Sequence, residues 1–381
     1  TFFEIGSEGE QLRIPVRSSS EWVVTGNWGK WCEIRQESGE KVDTLVLDVG
    51  VNIARQERGM SLELSNREET LEIELRQAAA TEEYEYVLPV IFHVLYRVPE
   101  DDIPVGYLSS CLERVNELYR DGPVDMNLKF VLATHDPNGQ LLEEPGVRRE
   151  FREGLPMDMF DFVGNKFGDC AWIWDPKEYI NVVIFDSKSI PSGCAHFPYL
   201  PECVVLPGVL FSDWYADHLP DAHVHCVAWN RSHMFSRYEL LGVIFDYDVF
   251  TLAHEMGHYL GLLHPFVDGK GNFGDYCDDT PDYYVNGYET FLSELDETFP
   301  YSDDNYRKVI QRVALNGRVF IADNIMDYEF GYLDRFTLEQ RKRVRTVLEN
   351  AWLLPGPKIE VEPRARSGKK AVKPSVPKPV S

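Results

Sequence analysis

The chain has 381 residues, 44% hydrophobic and 13% aromatic, enough for two packed domains and a tail. Its formal net charge of -25 and pI near 4.8 argue against nucleic acid as a partner, because phosphates need basic patches. No run of about 18 apolar residues occurs, so no transmembrane segment is expected.

In chain order, residues 1 to about 78 read as all-β. Gln11–Val16, Trp22–Thr25, Cys32–Gln36, Thr44–Val49, Gly59–Leu64 and Thr70–Gln77 are short alternating or β-rich runs. Gly, Ser and Asn separate them at the spacing of a sandwich, and Asn66-Arg67-Glu68-Glu69 reads as the turn of the last hairpin. Trp22 and Trp31 are expected in the core rather than on a ligand platform. The opening Thr1-Phe2-Phe3-Glu4 has neither the basic n-region nor the apolar h-region of a signal peptide.

A linker at Ala78–Glu83 precedes a second region. Val87–Tyr96 reads as a strong strand, Tyr107–Tyr119 as a helix, and Leu128–Ala133 and Tyr179–Phe185 as further strands. This order, followed by a helix carrying chemistry, predicts an α/β (α+β) domain. From residue 355 the chain is rich in Pro, Lys and Ser and is expected to be disordered. The expected boundaries are therefore 1–79, 80–354 and 355–381.

Seven cysteines occur, at 32, 111, 170, 194, 203, 226 and 277, and none forms a C-x-x-C pair. Cys194 and Cys203 are close enough in sequence to close a small loop.

The most informative stretch is His254-Glu255-Met256-Gly257-His258-Tyr259-Leu260-Gly261-Leu262-Leu263-His264, which reads H-E-x-x-H-x-x-G-x-x-H. His254 and His258 are one helical turn apart on one face, where two imidazoles can reach a single zinc ion. Glu255 is rotated away from that pair and is the candidate general base for a water at the metal. Gly261 suits the end of the helix, after which the chain can return His264 as third ligand. One histidine on an apolar helix face is usually only packed there, but five residues at these spacings form a far narrower pattern.

About sixty residues on, Asp323-Asn324-Ile325-Met326-Asp327-Tyr328 adds Met-x-Tyr. Together with the long zinc string it resembles the methionine turn of the metzincin metalloproteases. That resemblance implies Met326 beneath the three histidines and Tyr328 near the metal, donating a hydrogen bond to the developing oxyanion. Within the clan the chain resembles the pappalysins from about 85 to 350. The residues concerned are Leu88–Tyr96, Gly193–Pro198, Cys203–Leu206, Cys277-Asp278-Asp279-Thr280-Pro281 and Phe336–Arg341. Pro265 departs from the threonine usual in that family, and no cysteine follows Cys277 to pair with it near the methionine turn. The N-terminal region resembles the BACON domain, an immunoglobulin-like module of exported Bacteroidetes proteins. Glu21–Val24, Trp31, Thr44–Val49, Arg58–Leu62 and Leu71–Gln77 carry that likeness. This pairing implies a location outside the cell, at the surface or in the periplasm, lipid-anchored or secreted.

The expectation is thus a multi-domain protein: an immunoglobulin-like sandwich, then a metzincin-type zincin domain. It would cut peptide or protein substrates with one zinc ion, and the pappalysin likeness implies sites beside basic residues. Asp268, Asp275, Asp278, Asp279 and Asp282 form an acidic cluster after the site. Asp275, Asp278 and Asp279 in particular are candidate calcium ligands, although Asp-rich turns are also ordinary solvated loops. His223 and His225 read as loop histidines rather than a second metal pair. The rival reading is a silent or latent zinc-binding surface protein whose sandwich binds carbohydrate or protein. The intact Glu255, histidines and Met-x-Tyr favour the enzyme.

Overall fold

The computed structural model describes residues 1–359 except 27, 165–172, 190, 217–224, 236, 241–242, 270–272, 295–301 and 329. The described chain forms two compact units, Thr1–Glu85, joined by residues from Pro357, and Tyr86–Gly356.

The first unit is built from strands whose side chains alternate between core and solvent. In Thr70–Gln77, Ile73, Leu75 and Gln77 are buried while Glu72, Glu74 and Arg76 are exposed. A five-stranded sheet runs in the order Phe2–Ile5, Thr70–Gln77, Arg58–Ser65, Trp22–Gly26, Ser38–Gly39. A three-stranded sheet runs Glu10–Arg17, Val42–Val49, Cys32–Ile34. One apolar core joins them, with Trp22, Val24, Leu62, Ile73 and Leu75 from the first and Val16, Leu45, Leu47 and Val49 from the second. The Asn66 carboxamide oxygen accepts from the backbone of Glu68 at 2.8 Å and Glu69 at 2.9 Å, which closes the last hairpin. The strand Phe2–Ile5 was not expected from the sequence; it pairs in parallel with Glu74–Gln77.

Trp22 is buried in this core. Trp31 packs against it, under the Arg58 guanidinium at 4.6 Å. Both tryptophans thus serve packing.

The second unit is organised by the eleven-residue strand Tyr86–Tyr96. On one side Leu128–Leu132 pairs with its first half and Val147–Phe151 with its second half. On the other side lie Ile180–Phe185, then Val227–Asn230, all parallel, and finally the antiparallel edge strand Gly193–Ala195. Every residue of Ile180–Phe185 is buried, as expected of a parallel strand covered on both faces. Val147–Phe151, read as V-R-R-E-F, lacks that apolar signature and was not anticipated.

Two helices fix the site. Val105–Arg120 buries Leu108, Cys111, Leu112, Val115 and Tyr119 along one face, at the three- and four-residue spacing of an amphipathic helix. Its Tyr119 hydroxyl donates to the Ala253 carbonyl at 2.9 Å, tying it to the helix Tyr247–Tyr259. The last helix, Leu338–Asn350, starts with a capping box in which Thr337 and Gln340 satisfy each other's backbone N–H groups. Beyond it Ala351, Leu353 and Leu354 are still buried. The tail expected to be disordered lies outside the described residues from position 360.

Candidate metal centre

The helix Tyr247–Tyr259 carries His254 and His258 on one face, and the chain reverses immediately after it. Gly261 makes the reversal with φ +89°, a conformation strained for other residues, and donates its N–H to the His258 carbonyl at 2.9 Å. A Cβ there would sit 2.7 Å from Val347 of the last helix, so the position demands glycine on space as well. Arg343 then clamps the turn, its Nε donating to the Gly261 carbonyl at 2.6 Å. The Pro207 carbonyl accepts from the same guanidinium at 2.6 Å.

The reversal returns His264 to the first two histidines. Its Nε2 lies 3.1 Å from His254 Nε2 and 2.9 Å from His258 Nε2. His254 Nδ1 lies 2.9 Å from the Ile325 carbonyl and His258 Nδ1 2.8 Å from the Leu262 carbonyl. Carbonyls only accept, so both Nδ1 atoms carry the proton and both Nε2 lone pairs face the common point. Burial lowers the pKa of His254 to about 4, against the pull of the Ile325 carbonyl, and burial together with the neighbouring His254 also lowers that of His258. The imidazoles of His254 and His258 are therefore neutral and available as ligands.

The donor set fits zinc. Tetrahedral zinc with nitrogens at about 2.0–2.1 Å separates neighbouring nitrogens by about 3.3 Å, close to the spacing here. Among the described residues these histidines are the one cluster of three metal-donor side chains.

Glu255 is 4% exposed, and its Oε2 has no hydrogen-bond partner among the described residues. Burial raises its pKa well above the carboxylate range. The edge strand runs directly over it: a Cβ on Gly193 would meet Glu255 Cγ at 2.6 Å. The sequence placed Gly193 in a run resembling an edge strand, but its contact with Glu255, 62 positions on, leaves no local pattern.

Met326 is buried, and a Cβ on Gly257 would lie 2.3 Å from its sulfur, so the methionine packs against the ligand helix between the two histidines. Asn324 holds this turn by accepting from the Met326 N–H at 2.9 Å. Gln340 of the capping box in turn bonds Asn324 both ways, at 2.8 and 3.1 Å. The Tyr328 ring lies 4.5 Å from that of His264, 5.8 Å from that of His254 and 4.6 Å from that of Phe266. Histidines, Glu255, Met326 and Tyr328 are thus brought together.

The candidate calcium acids are not. Asp275 is buried, and its carboxylate accepts from the Thr280 hydroxyl at 2.7 Å, the Cys277 N–H at 3.0 Å and the Gln340 carboxamide at 3.3 Å. Asp279 accepts from the Glu339 N–H at 3.0 Å, at the start of the last helix, while the Asp278 N–H bonds the Glu339 carboxylate. The calcium expectation finds no support: Asp275 and Asp279 brace the last helix and the loop before it. The loop expected between Cys194 and Cys203 is also not closed, and both are free thiols. Cys194 points into the core beside Val183 and Cys226, away from the partly exposed Cys203. Cys277 is likewise free. His225 is buried against Tyr259, with ring centroids 5.0 Å apart, whereas His223 lies outside the described residues.

A parallel sheet with an antiparallel edge and a ligand helix thus frame three converging imidazoles. Residues 169–349 match the family Peptidase_M43, described as "Pregnancy-associated plasma protein-A". Over this segment the chain is similar to the pappalysin-family metalloproteases. An extracellular metalloprotease of Verticillium alfalfae is 27% identical over 207 residues, covering 51% of this chain and 58% of the fungal protein. The chain thus spans little more than half the length of that relative. Mature mirolysin of Tannerella forsythia, solved with a cleaved peptide, shares 23% identity over 69% of this chain and 92% of its own, at TM-score 0.47. A promirolysin mutant from the same organism shares 22% over 70% and 81%, at TM-score 0.48.

Proposed function

We propose that the protein is a zinc-dependent endopeptidase. The observation that carries this is the convergence of three histidine Nε2 atoms beside the buried Glu255 carboxyl group, which has an unused oxygen. Zinc held by His254, His258 and His264 supplies Lewis acidity and lowers the pKa of water toward neutrality.

The remaining work falls to the chain. Glu255 accepts the proton of the attacking water on its carboxylate and passes it to the departing amine. The Tyr328 hydroxyl donates to the oxyanion that forms from the peptide carbonyl. The edge strand Gly193–Ala195 offers main-chain partners to an extended peptide, the recognition mode of strand addition. The net charge of -25 suits substrates with basic side chains near the cut. The two-sheet N-terminal unit, of immunoglobulin-like type, is a recognition module for protein or carbohydrate. Work outside the cell is in keeping with the extracellular fungal relative. No described helix is long and apolar enough to cross a membrane.

The test is cleavage of a mixed peptide library with and without chelator, using the parent and Glu255→Ala. Chelator-sensitive cleavage is expected of the parent, and Glu255→Ala should keep stoichiometric zinc while losing about 100-fold or more in kcat. Unchanged turnover in Glu255→Ala removes it as general base. No chelator-sensitive cleavage by the parent overturns the enzyme reading.

A further inference from the structure

Arg312 is among the largest fully buried side chains, at 2% exposure. Its guanidinium lies over the Tyr288 ring at 3.4 Å. One terminal nitrogen donates to the Val309 and Gln311 carbonyls at 3.1 and 3.2 Å. The other donates to the carbonyls of Tyr328 at 3.0 Å and Phe330 at 2.9 Å. Its Nε is 3.4 Å from the Tyr283 hydroxyl, which itself donates to Asp327. Asp327 in turn accepts from the Tyr328 N–H at 2.7 Å. Both main-chain polar groups of Tyr328 are therefore held by one buried acid–base network, the N–H by Asp327 and the C=O by Arg312.

We propose that Arg312, countered by Asp327 through Tyr283, is the positioning residue that sets the Tyr328 ring against the metal centre. The inference rests on the reading of Tyr328 as oxyanion donor. A buried charge network is costly to desolvate, and apolar side chains often fill such sites with no loss of stability, so stability alone does not account for it. A guanidinium is suited to the task because its rigid fork of donors can reach four carbonyls at once. A lysine, with one compact ammonium on a flexible stem, cannot fix the same geometry. Arg312 acts on this segment through the main chain of residues 328 and 330. A displacement of about 1 Å in a reacting group can cost on the order of 100-fold in rate, so a small shift of this segment has a kinetic signature.

The experiment uses the full chain loaded with zinc and a fluorogenic peptide that the parent cleaves. Tyr328→Phe, Arg312→Lys and the double variant are compared in kcat, KM and metal content, with Tyr283→Phe as the milder variant should Arg312→Lys not fold. Tyr328→Phe is expected to lose roughly 100-fold in kcat. Arg312→Lys should lose roughly 10-fold in kcat with KM nearly unchanged and zinc stoichiometric. The double variant should fall no lower than Tyr328→Phe, because a positioning effect disappears with the group it positions. Multiplicative losses in the double variant, a loss confined to KM, or loss of zinc overturn the proposal. Full activity in Tyr328→Phe removes the oxyanion reading and the proposal with it. An impaired Tyr328→Phe beside a fully active Arg312→Lys or Tyr283→Phe removes the positioning role alone.

Discussion

The two units are held together by different chemistry. The N-terminal unit encloses a core of aliphatic and aromatic side chains between two sheets, and its buried polar groups are few, with Asn52 and Gln77 foremost. The metal-centre unit buries His254, Glu255, His258, His264, Asp275, Asp327, Arg312, Gln340 and Arg343, most of them in direct contact with one another or with loop carbonyls. An apolar core tolerates change in proportion to the volume lost. A buried polar network responds to the loss of one donor out of proportion, because its partner is left unsatisfied. One region is tuned to hold a shape, the other to hold particular atoms in place.

That contrast can be broken most forcefully at Gly193. Gly193→Val would drive a branched side chain into Glu255, and a fall of roughly 100-fold in kcat is expected. The melting temperature of the chain should move by only a few degrees. Peptide kinetics beside differential scanning calorimetry check this, and normal kcat would show that the edge strand yields freely. Chelation is next. Removing the ion should lower the stability of the metal-centre unit by about 3–4 kcal/mol at zinc 100- to 1,000-fold above its dissociation constant. Calorimetry with and without chelator reads the shift, and the transition of the N-terminal unit should not follow it.

Leu47→Ala reverses the test. Leu47 is fully buried between the two sheets, so a loss of about 2–5 kcal/mol is expected in that unit, with kcat and zinc content unchanged. Denaturant unfolding followed beside peptide cleavage measures both. The smallest effect falls at Asn66, whose oxygen closes a hairpin at the surface. Asn66→Ala should cost about 1 kcal/mol in the same unfolding experiment and nothing in activity.

What could be read from the sequence follows the same division. Period-two alternation placed the strands Glu10–Arg17, Val42–Val49 and Thr70–Gln77 because each has one wet face. The strand Phe2–Ile5 was missed because it is four residues long and its parallel partner is some seventy positions away. The ligand string was legible because a helix and a glycine turn convert fixed spacing into geometry within eleven residues. The remote contacts of Gly193, Arg312, Gln340 and Arg343 were not, since each acts on a group far along the chain. The acidic loop misled for the opposite reason. Asp275 and Asp279 lie close together in sequence, yet each turns to a different protein donor.

The capping box of the last helix has a further consequence. The Gln340 side chain that seals that helix also grips Asn324, and hence the turn that seats Met326 beneath the histidines. Arg343, one turn on, holds the bend at Gly261 that delivers His264. The final helix and the metal-binding geometry should therefore open and close as a single cooperative block. Amides of Leu338–Asn350 and of the ligand helix should exchange with solvent at matching rates, and both should slow together when zinc is added.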